Sequence, residues 1–450
     1  MMREPAFSIL KKPEPMALKG RRVLVLGLGD TGLSVARWVE ARGGSVRAAD
    51  TRSSPPGKKD FSGELHAGPF EPALLEGVDL VCISPGLSLE DEVVRRAIAK
   101  GTPVVGDVEL FAWENKAPVL AITGTNGKTT VTALAGHLLR AAGVDCEVAG
   151  NISPPVLSSS LSRKRPPAVW VLELSSYQLE TTWSLAPRAA TMLNLSEDHF
   201  DRYAGLDDYG AAKARVFQGD GVQVLNRDDP RSLGMALPGR KVVTFGLDAP
   251  RGDDFGVAGG KLVRGAKEIL SIDELPIRGM HNVANALAAC ALVDAPLQGL
   301  KSFRGLPHRL ELVGVKRGKE WYDDSKGTNV GATVAALRGL GKKVVLILGG
   351  EGKGQDFSPL AEPVRRHASR VLLIGRDAPL IERALAGFAA ERCATLEAAV
   401  QRAAELAGSG EAVLLSPACA SFDMFRDYKQ RGEMFAAAVR RLPASGALSS

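Results

Sequence analysis

The stretch PVLAITGTNGKTTVTALAGHLLRAAG, residues 118–143, runs from an apolar segment through a glycine- and threonine-rich loop into an Ala- and Leu-rich segment. This order predicts a buried strand, a phosphate-binding loop and a helix. Backbone N–H groups at the start of such a helix hold phosphate groups, while a lysine neutralises their charge and a hydroxyl group binds Mg²⁺. In this loop those two side chains belong to Lys128 and Thr129.

The spacing of the loop differs from that of the usual P-loop. The first glycine of that motif would stand five residues before the Gly-Lys pair, where this chain has Ile122, and Gly124 stands three residues before Gly127. We therefore interpret the loop as a phosphate-binding variant. Its predicted ATP-binding residues are Gly124, Thr125, Asn126, Gly127, Lys128, Thr129 and Thr130.

Short apolar runs recur on both sides of this unit and alternate with Ala- and Leu-rich stretches. Such alternation predicts α/β layers with mainly parallel sheets. The chain of 450 residues has the length of about three domains. The predicted division is a loose N-terminal extension, 1–20, and three α/β domains, 21–106, 107–305 and 306–450. Residues 247–275 are predicted to form hairpins or loops.

The composition is that of a globular protein, with 45% apolar and 24% charged residues. The most apolar longer stretch, 283–300, is interrupted by Asn285 and Asp294, so we expect a buried helix and no membrane insertion. The net charge of +6 suits an anionic small substrate as well as it suits nucleic acid. Five widely spaced cysteines without a CxxC pair predict reduced thiols in the cytoplasm.

A second glycine motif, GLGDTG with Gly27, Gly29 and Gly32, follows an apolar run, and Asp50 comes about 20 residues later. This is the pattern of a dinucleotide-binding βαβ unit, and taken alone it predicts NAD. A tight turn without a ligand is the alternative. Asp30 fits a pyrophosphate poorly, because its carboxylate would repel the phosphate groups.

Acidic and basic side chains follow the next predicted strands. Glu173 ends the apolar run VWVLEL, at the kind of strand end where a nucleotide-bound Mg²⁺ finds a carboxylate. NLSEDHFDRY adds Asp198 and His199 after another strand, and Lys213 follows in AAKARVF. A lone histidine is more often structural, but the place of His199 beside an ATP loop favours a functional role.

Other polar residues near predicted strand or helix ends are each a weak signal alone. They are Asn282, Asn285, Arg309, Asp324, Lys326, Thr328, Lys353, Ser416 and Phe422. A charged loop is usually only solvated, and helix capping explains Asn282 almost as well as a contact with a base.

Taken in order, these blocks resemble the Mur ligase family. They are TGTNGKTT, LELSSYQLE, NLSEDHFDRY, AAKARVF, GMHNVANALAA, PHRLE, DDSKGTN, GGEGKGQDF and SPACASFDMF, and the match runs from about residue 20 to 440. The resemblance implies a Rossmann-like N-terminal domain, a central P-loop-type ATPase domain and a Rossmann-like C-terminal domain. It also reassigns the GLGDTG motif from NAD to the UDP group of a substrate.

The implied activity is an ATP-dependent amide ligation in peptidoglycan precursor synthesis in the cytoplasm. D-glutamate is joined to the carboxylate of UDP-N-acetylmuramoyl-L-alanine, with ATP and two Mg²⁺ ions as the expected cofactors. The last three blocks discriminate most sharply for D-glutamate. We expect a monomer that binds no nucleic acid.

The resemblance assigns roles to individual residues. Catalytic roles fall to Lys128, Glu173, His199 and Lys213. The implied Mg²⁺ ligands are Thr129, Glu173, His199 and Lys213, the last as a carbamate. ATP contacts outside the loop are Asn285, Arg309 and Asp324. The residues implied to bind the UDP substrate are Gly29, Asp30, Thr31, Asp50, Thr51, Arg52, Ser84, Pro85, Gly86, Asn151 and His199. Those implied to bind D-glutamate are Lys326, Thr328, Lys353, Ser416 and Phe422.

Three other readings compete with this one. A sister ligase or a folylpolyglutamate synthetase shares the ATP loop, but SPACASFDMF and the UDP-type first domain argue against both. An NAD-dependent dehydrogenase leaves TGTNGKTT unexplained, and a nucleotide-regulated binding protein does not require Glu173, His199 and Lys213 together. One departure from the family is Ser153 in GNIS, where glycine is usual; the serine costs little unless the turn needs a positive φ.

Overall fold

The computed structural model describes residues 6–293, residue 295 and residues 297–443. Within these residues the strands form three sheets, each flanked by helices. The α/β class predicted from the alternation of apolar runs is confirmed.

The first sheet has the strand order β3-β2-β1-β4-β5, with all neighbours parallel. Its strands are β1 (Arg22–Leu26), β2 (Ser45–Asp50), β3 (Glu64–Ala67), β4 (Leu80–Ile83) and β5 (Val104–Val105). The helices are α1 (Asp30–Glu40), α2 (Glu92–Ala99) and α3 (Asp107–Glu114). This is the Rossmann-like order, and ligands of such sheets bind where the order reverses, here at the carboxyl ends of β1 and β4.

The second sheet has the order β14-β13-β12-β11-β10-β9-β6-β8-β7. Its strands are β6 (Val119–Thr123), β7 (Cys146–Gly150), β8 (Val169–Glu173), β9 (Ala189–Met192), β10 (Val222–Asn226), β11 (Val242–Phe245), β12 (Phe255–Ala258), β13 (Lys261–Arg264) and β14 (Lys267–Ser271). Its helices are α4 (Lys128–Ala141), α5 (Val156–Ser162), α6 (Ser176–Glu180), α7 (Leu206–Ala214), α8 (Pro230–Leu233) and α9 (Met280–Leu292). The segment predicted to form hairpins pairs antiparallel through β12, β13 and β14.

The third sheet has the order β15-β16-β20-β17-β18-β19. Its strands are β15 (Glu311–Lys316), β16 (Lys319–Asp323), β17 (Val344–Gly349), β18 (Ala368–Ile374), β19 (Ala390–Arg392) and β20 (Ala412–Leu415). The helices are α10 (Val330–Leu340), α11 (Ala361–His367), α12 (Ala378–Ala384), α13 (Leu396–Leu406) and α14 (Tyr428–Arg441). Only the β15–β16 hairpin is antiparallel among its described pairs.

The central strands are apolar because both of their faces are covered by helices. Every residue of β6, β8 and β17 is buried, and such strands lack the polar alternation of a sheet with one wet face. The predicted buried helix corresponds to α9, which packs against α4. In the described part of the chain, no helix is both long enough and apolar enough to span a bilayer.

The N-terminal extension differs from the loose segment expected from the sequence. Residues 1–5 lie outside the described residues, but Leu10 and Leu18 are buried in the core. Phe7 packs against the same core, and its ring lies 5.5 Å from the guanidinium of Arg215 in the second domain. The apolar residues of the extension have no helical or strand period, so the sequence carried no sign of this packing. The boundaries near 106 and 305 fall between sheets and stay predictions.

Candidate active site

The phosphate-binding loop needs its glycines for both conformation and space. Gly124 and Gly127 have φ angles of 152° and 84°, in the region that side chains disfavour. A Cβ atom on Gly124 would lie 2.9 Å from the Cβ of Leu193, and one on Gly127 would lie 2.4 Å from Oδ1 of Asn285. The loop therefore folds tightly against the neighbouring strand end and against α9.

Lys128 begins α4 and turns its ammonium group back into the loop. Its Nζ donates to the carbonyl oxygens of Gly124 at 2.9 Å and Thr125 at 2.7 Å. Burial is the main cause that lowers the pKa of Lys128, and the charge of Glu173 partly opposes it. The side chain is thus fixed where phosphate groups would meet the loop.

Glu173 ends β8, directly beside the strand that leads into the loop. Its side chain is 1% exposed, and Oε1 accepts a hydrogen bond of 2.7 Å from Nδ2 of Asn151. The other oxygen, Oε2, is buried and has no hydrogen-bond partner among the described residues. A buried carboxylate oxygen without a hydrogen-bond partner suits a bound cation, because an unpaired buried acceptor is otherwise costly.

His199 stands in a strained backbone conformation, with φ 58°. Its Nδ1 lies 2.8 Å from the hydroxyl of Tyr177, and its Nε2 lies 3.8 Å from Asp198. Burial is the largest cause that lowers the pKa of His199, although the charge of Asp198 opposes it. A neutral imidazole held in this way can act as a ligand.

Lys213 lies on α7 and is 1% exposed. Its Nζ donates to the carbonyl oxygen of Gly124 at 2.8 Å, so it shares that acceptor with Lys128. Burial, followed by the charge of Lys128, lowers the pKa of Lys213 well below its usual value. The buried amine of Lys213 and the partly buried amine of Lys128 therefore converge on one carbonyl group.

The third domain reaches the loop through Arg309. The Nη2 of Arg309 donates to Oγ1 of Thr129 at 2.5 Å. The flanking residues His308 and Leu310 have φ angles of 62° and 50°, so the backbone bends sharply on both sides of this arginine. A second contact runs from Nδ2 of Asn329 to Oδ1 of Asn126 at 3.2 Å.

These side chains surround a central cavity of 470 Å³. The predicted site residues that line it are Thr125, Asn126, Gly127, Lys128, Thr129, Asn151, Glu173, His199, Lys213, Arg309, Lys326, Thr328, Lys353 and Phe422, together with Pro85 and Gly86 of the first domain. Residues from all three domains thus meet in one cavity.

Ser416, predicted to bind D-glutamate, does not line the central cavity. It is fully buried behind it, and its hydroxyl donates to Oδ2 of Asp324 at 2.7 Å. Ser421 and Tyr428 line the cavity instead, near Phe422, which is 65% exposed. Sequence reasoning missed both residues, although Ser421 lies in the same SPACASFDMF block.

A neighbouring cavity of 390 Å³ lies between α9 and α10. Asn282, Asn285 and Asp324 line it, together with Thr130, Asn126 and Gly127 of the loop. Burial raises the pKa of Asp324 to about 7, although the hydrogen bond from Ser416 opposes this. The amides and the carboxyl group suit the base and the ribose hydroxyls of a nucleotide whose phosphates enter the loop.

The first domain holds a cleft of 470 Å³ at its topological switch point. The predicted UDP-substrate residues that line it are Gly29, Asp30, Thr31, Asp50, Thr51, Arg52, Ser84, Pro85 and Gly86, together with Asn151 of the second domain. His199, predicted for the same substrate, lines the central cavity instead. Gln178 also lines it and was not singled out in the sequence. The cleft continues toward the central cavity, because Pro85, Gly86 and Asn151 line both.

Asp50 shapes this cleft through bonds within the protein. Its carboxylate accepts from the backbone N–H of Leu28 at 2.7 Å and from the backbone and side chain of Arg52. The Arg52 guanidinium is the main cause that lowers the pKa of Asp50 to about 2. Asp50 is only 2% exposed, so its carboxylate is buried and holds the loop and Arg52 in place. The side chain of Arg52 lies at the surface of the cleft.

Ser153, the departure noted in the sequence, has φ 67°. The turn after Asn151 therefore does use the left-handed region, in which a glycine is unstrained and a serine is not. The serine costs stability in a turn that borders the cleft.

Three protein-family models match successive segments of the chain. The model for the Mur ligase MurD-like N-terminal domain matches residues 21–106, that for the Mur ligase middle domain matches 122–293, and that for the Mur ligase glutamate ligase domain matches 308–419. The chain belongs to the Mur ligase family. The family resemblance predicted from the sequence blocks is confirmed.

Curated relatives match over nearly the whole length of both chains. The UDP-N-acetylmuramoylalanine--D-glutamate ligase of Nitrosospira multiformis is 53% identical, covering 96% of this chain and 98% of its own. That of Thiobacillus denitrificans is 52% identical, covering 96% and 99%. The crystal structure of the UDP-N-acetylmuramate-alanine ligase MurC of Thermotoga maritima has a TM-score of 0.60 at 20% identity, covering 93% and 99%, and shows the common Mur ligase fold.

Proposed function

We propose that this enzyme is an ATP-dependent ligase that joins D-glutamate to UDP-N-acetylmuramoyl-L-alanine in peptidoglycan precursor synthesis. Support comes from relatives named UDP-N-acetylmuramoylalanine--D-glutamate ligase, which are 52–53% identical over 95–96% of this chain. The observation that carries the proposal is the central cavity, where a phosphate-binding loop, a UDP-type cleft and a basic pocket of the third domain meet.

The chemistry explains why three sites must meet. A carboxylate is a poor electrophile, so one of its oxygens first attacks the γ-phosphorus of ATP, and ADP leaves. The amine of D-glutamate then attacks the carbonyl carbon of the acyl phosphate, and inorganic phosphate leaves as the amide forms. Positioning and charge neutralisation supply most of the rate in such transfers.

The nucleotide would lie across the loop and the neighbouring cavity. The loop amides and Lys128 would hold the β- and γ-phosphates, and Arg309 would reach the γ-phosphate from the third domain, since it already bonds Thr129. Asn285 and Asp324 would contact the base and the ribose.

Mg²⁺ fits the donor set of the central cavity. Thr129 and Glu173 would hold one ion and His199 a second, and Oε2 of Glu173, which has no hydrogen-bond partner among the described residues, supports the first assignment. When bound, the ions neutralise phosphate oxygens during transfer. A hard cation prefers oxygen, which makes His199 an unusual ligand and a carboxylate at position 213 a favourable one.

Lys213 is proposed to carry a carbamate. Burial lowers its pKa, which increases the neutral amine that can react with CO₂. The ammonium group first loses one proton, and the neutral amine then adds to the carbon of CO₂ and loses a second proton as the N–C bond forms. The product is an anion with two oxygen ligands. The change would replace repulsion between Lys213 and Mg²⁺ by coordination.

The third domain would bind D-glutamate. Lys326, Thr328 and Lys353 present cations and a hydroxyl group to the cavity, which suits a substrate with two carboxylates. Ser421 and Phe422 border the same region and complete the proposed pocket. Ser416 instead bonds Asp324, which lines the neighbouring cavity.

The first domain is proposed to bind UDP in place of NAD. The cleft continues into the phosphoryl-transfer cavity through Asn151, so a bound UDP sugar can extend its acyl group there.

The compartment and the oligomeric state are also proposals. The proposed substrates make the cytoplasm the proposed compartment. The protein is proposed to act as a monomer, which light scattering can test.

The deciding assay is ADP release with UDP-N-acetylmuramoyl-L-alanine and a panel of amino acids. We expect stimulation by D-glutamate and by neither L-glutamate, L-lysine nor meso-diaminopimelate. Release that responds to another amino acid would indicate a sister ligase. Calorimetry should show binding of UDP and none of NAD; the reverse would restore the dehydrogenase reading.

A further inference from the structure

His281 lies at the beginning of α9, on the wall of the nucleoside cavity. Its Nδ1 is buried and has no hydrogen-bond partner among the described residues. The ring lies against α10 of the third domain, at Gly339. His281 therefore connects the proposed ATP-binding domain to the third domain.

Two glycines pack against the His281 ring, Gly279 from the second domain and Gly339 from the third. A Cβ atom on Gly339 in α10 would lie 2.7 Å from Nδ1 of His281, and one on Gly279 would lie 2.7 Å from Cε1 of the same ring. The φ angle of Gly279 is also positive, at 96°. Since ordinary contact begins at 3.4 Å, any side chain at position 339 must push the ring or α10 away by about 0.7 Å.

The spacing of α9 and α10 fixes the shape of the nucleoside cavity. Asn282 and Asn285 line it from α9, and Ala332 and Ala336 line it from α10. The small residues of α10 offer the base an apolar wall and no polar contact of their own. Their distance from α9 therefore decides how closely they can cover a base.

We propose that His281, seated between Gly279 and Gly339, is a positioning residue that sets the width of the cleft between α9 and α10 and thereby the affinity for the nucleoside part of ATP. This proposal rests on the ATP site proposed above. It assigns no chemical step to the imidazole. The ring acts as a spacer and an interdomain contact.

A double-mutant cycle tests it. Gly339→Ala, His281→Ala and the double variant are compared with the parent enzyme for binding of a non-hydrolysable ATP analogue by calorimetry and for the KM of ATP. Arg338→Ala is the matched control, because Arg338 is the exposed neighbour of Gly339 on α10. UDP binding to the first domain reports on folding away from the cleft.

We expect Gly339→Ala to weaken binding of the analogue at least tenfold, with UDP binding unchanged. His281→Ala removes the ring, so adding Gly339→Ala to it should change the affinity by less than threefold. Arg338→Ala should match the parent. If Gly339→Ala is insoluble, recovery of soluble protein in the double variant supports the same coupling.

Three results would overturn the proposal: no effect of Gly339→Ala, an equal loss in both backgrounds, or an insoluble single variant that His281→Ala does not recover. Failure of the proposed function is a different result, since the parent protein itself would then fail to bind the ATP analogue. An additive cycle on a parent that binds the analogue refutes only the role of His281.

Discussion

Replacing Lys213 distinguishes a carbamylated lysine from an ordinary buried ammonium group. The side chain is 1% exposed, its Nζ donates to Gly124 at 2.8 Å, and it lies 4.5 Å from the centre of the Tyr209 ring. Arginine keeps a positive charge but cannot form the carbamate. Alanine removes both the charge and the possibility of modification.

The pKa of Lys213 determines whether the reaction with CO₂ is feasible. A lysine with the ordinary pKa of about 10.4 is neutral in only about one molecule in a few thousand at pH 7. Each unit by which the pKa falls raises that fraction about tenfold, and burial lowers the pKa of Lys213 well below the usual value. A larger fraction of the Lys213 amine is therefore neutral at pH 7 than of a surface lysine.

The expected loss follows from removing a charged group at the phosphoryl-transfer site. One such group is typically worth about 3–4 kcal/mol in the transition state, or a factor of about 10²–10³ in kcat. Lys213→Arg and Lys213→Ala should both lose at least about a hundredfold, since each removes the proposed anion. A structural need for positive charge would spare the arginine variant.

The assay is ADP release at saturating substrates, with circular dichroism as the check on folding. Lys116→Arg is the matched control, because Lys116 is an exposed lysine outside the cavities described. Millimolar acetate or formate should partly restore Lys213→Ala by filling its cavity with a carboxylate, and should not restore Lys213→Arg. Removing CO₂ from the buffer should slow the parent enzyme, and bicarbonate should restore it. A Lys213→Arg variant with more than a third of the parent activity refutes the carbamate.

Three further predictions concern single residues. Arg309→Ala should lower kcat by at least about a hundredfold and leave UDP binding unchanged, because Arg309 reaches the phosphate loop from the third domain; steady-state kinetics and calorimetry check this. Ser153→Gly should stabilise the protein by about 0.5–1 kcal/mol in urea unfolding, since it relieves a φ of 67°. Asp50→Asn should remove a source of acid sensitivity: the pKa of Asp50 falls to about 2 when folded, so its contribution is present above the unfolded pKa of about 4 and is lost as the pH falls toward 2. Thermal melts of Asp50→Asn should therefore depend less on pH between 4 and 2 than those of the parent.

The strands and the loops that end them were predictable because buried parallel strands are continuous apolar runs. The run before TGTNGKTT became β6, and the helix after it became α4. In parallel sheets the carboxyl ends of strands share one edge, so Lys128 and Glu173 could be expected to lie together. The positive φ at Ser153 was not predictable, because only the folded turn determines whether that position needs glycine.

The D-glutamate side of the site shows where sequence reasoning stops. Ser416 and Ser421 both follow β20, and no local pattern tells which hydroxyl faces the cavity. In the structure the chain turns at Ala418, with φ 57°, and Ala420 pairs with Glu351. With this pairing Ser421 lines the central cavity, although it is buried from bulk solvent, and Ser416 bonds Asp324.

The side chains that line the central cavity carry an excess of positive charge. Its lining includes five basic side chains, Lys128, Lys213, Arg309, Lys326 and Lys353, and three acidic ones, Glu173, Asp198 and Asp427. An excess of like charge in a partly buried space is costly unless anions enter it. Phosphates at the loop and carboxylates at the third domain would supply such anions. Lys128 and Lys213 are nevertheless two cations that donate to the same carbonyl oxygen, so positive charge is most concentrated there. The proposed conversion of Lys213 to a carbamate would remove the excess charge where the two amines meet. It would also add two oxygen ligands to those of Glu173, whose Oε2 has no hydrogen-bond partner among the described residues. The same modification would therefore relieve the repulsion between Lys128 and Lys213 and prepare the site for the reaction.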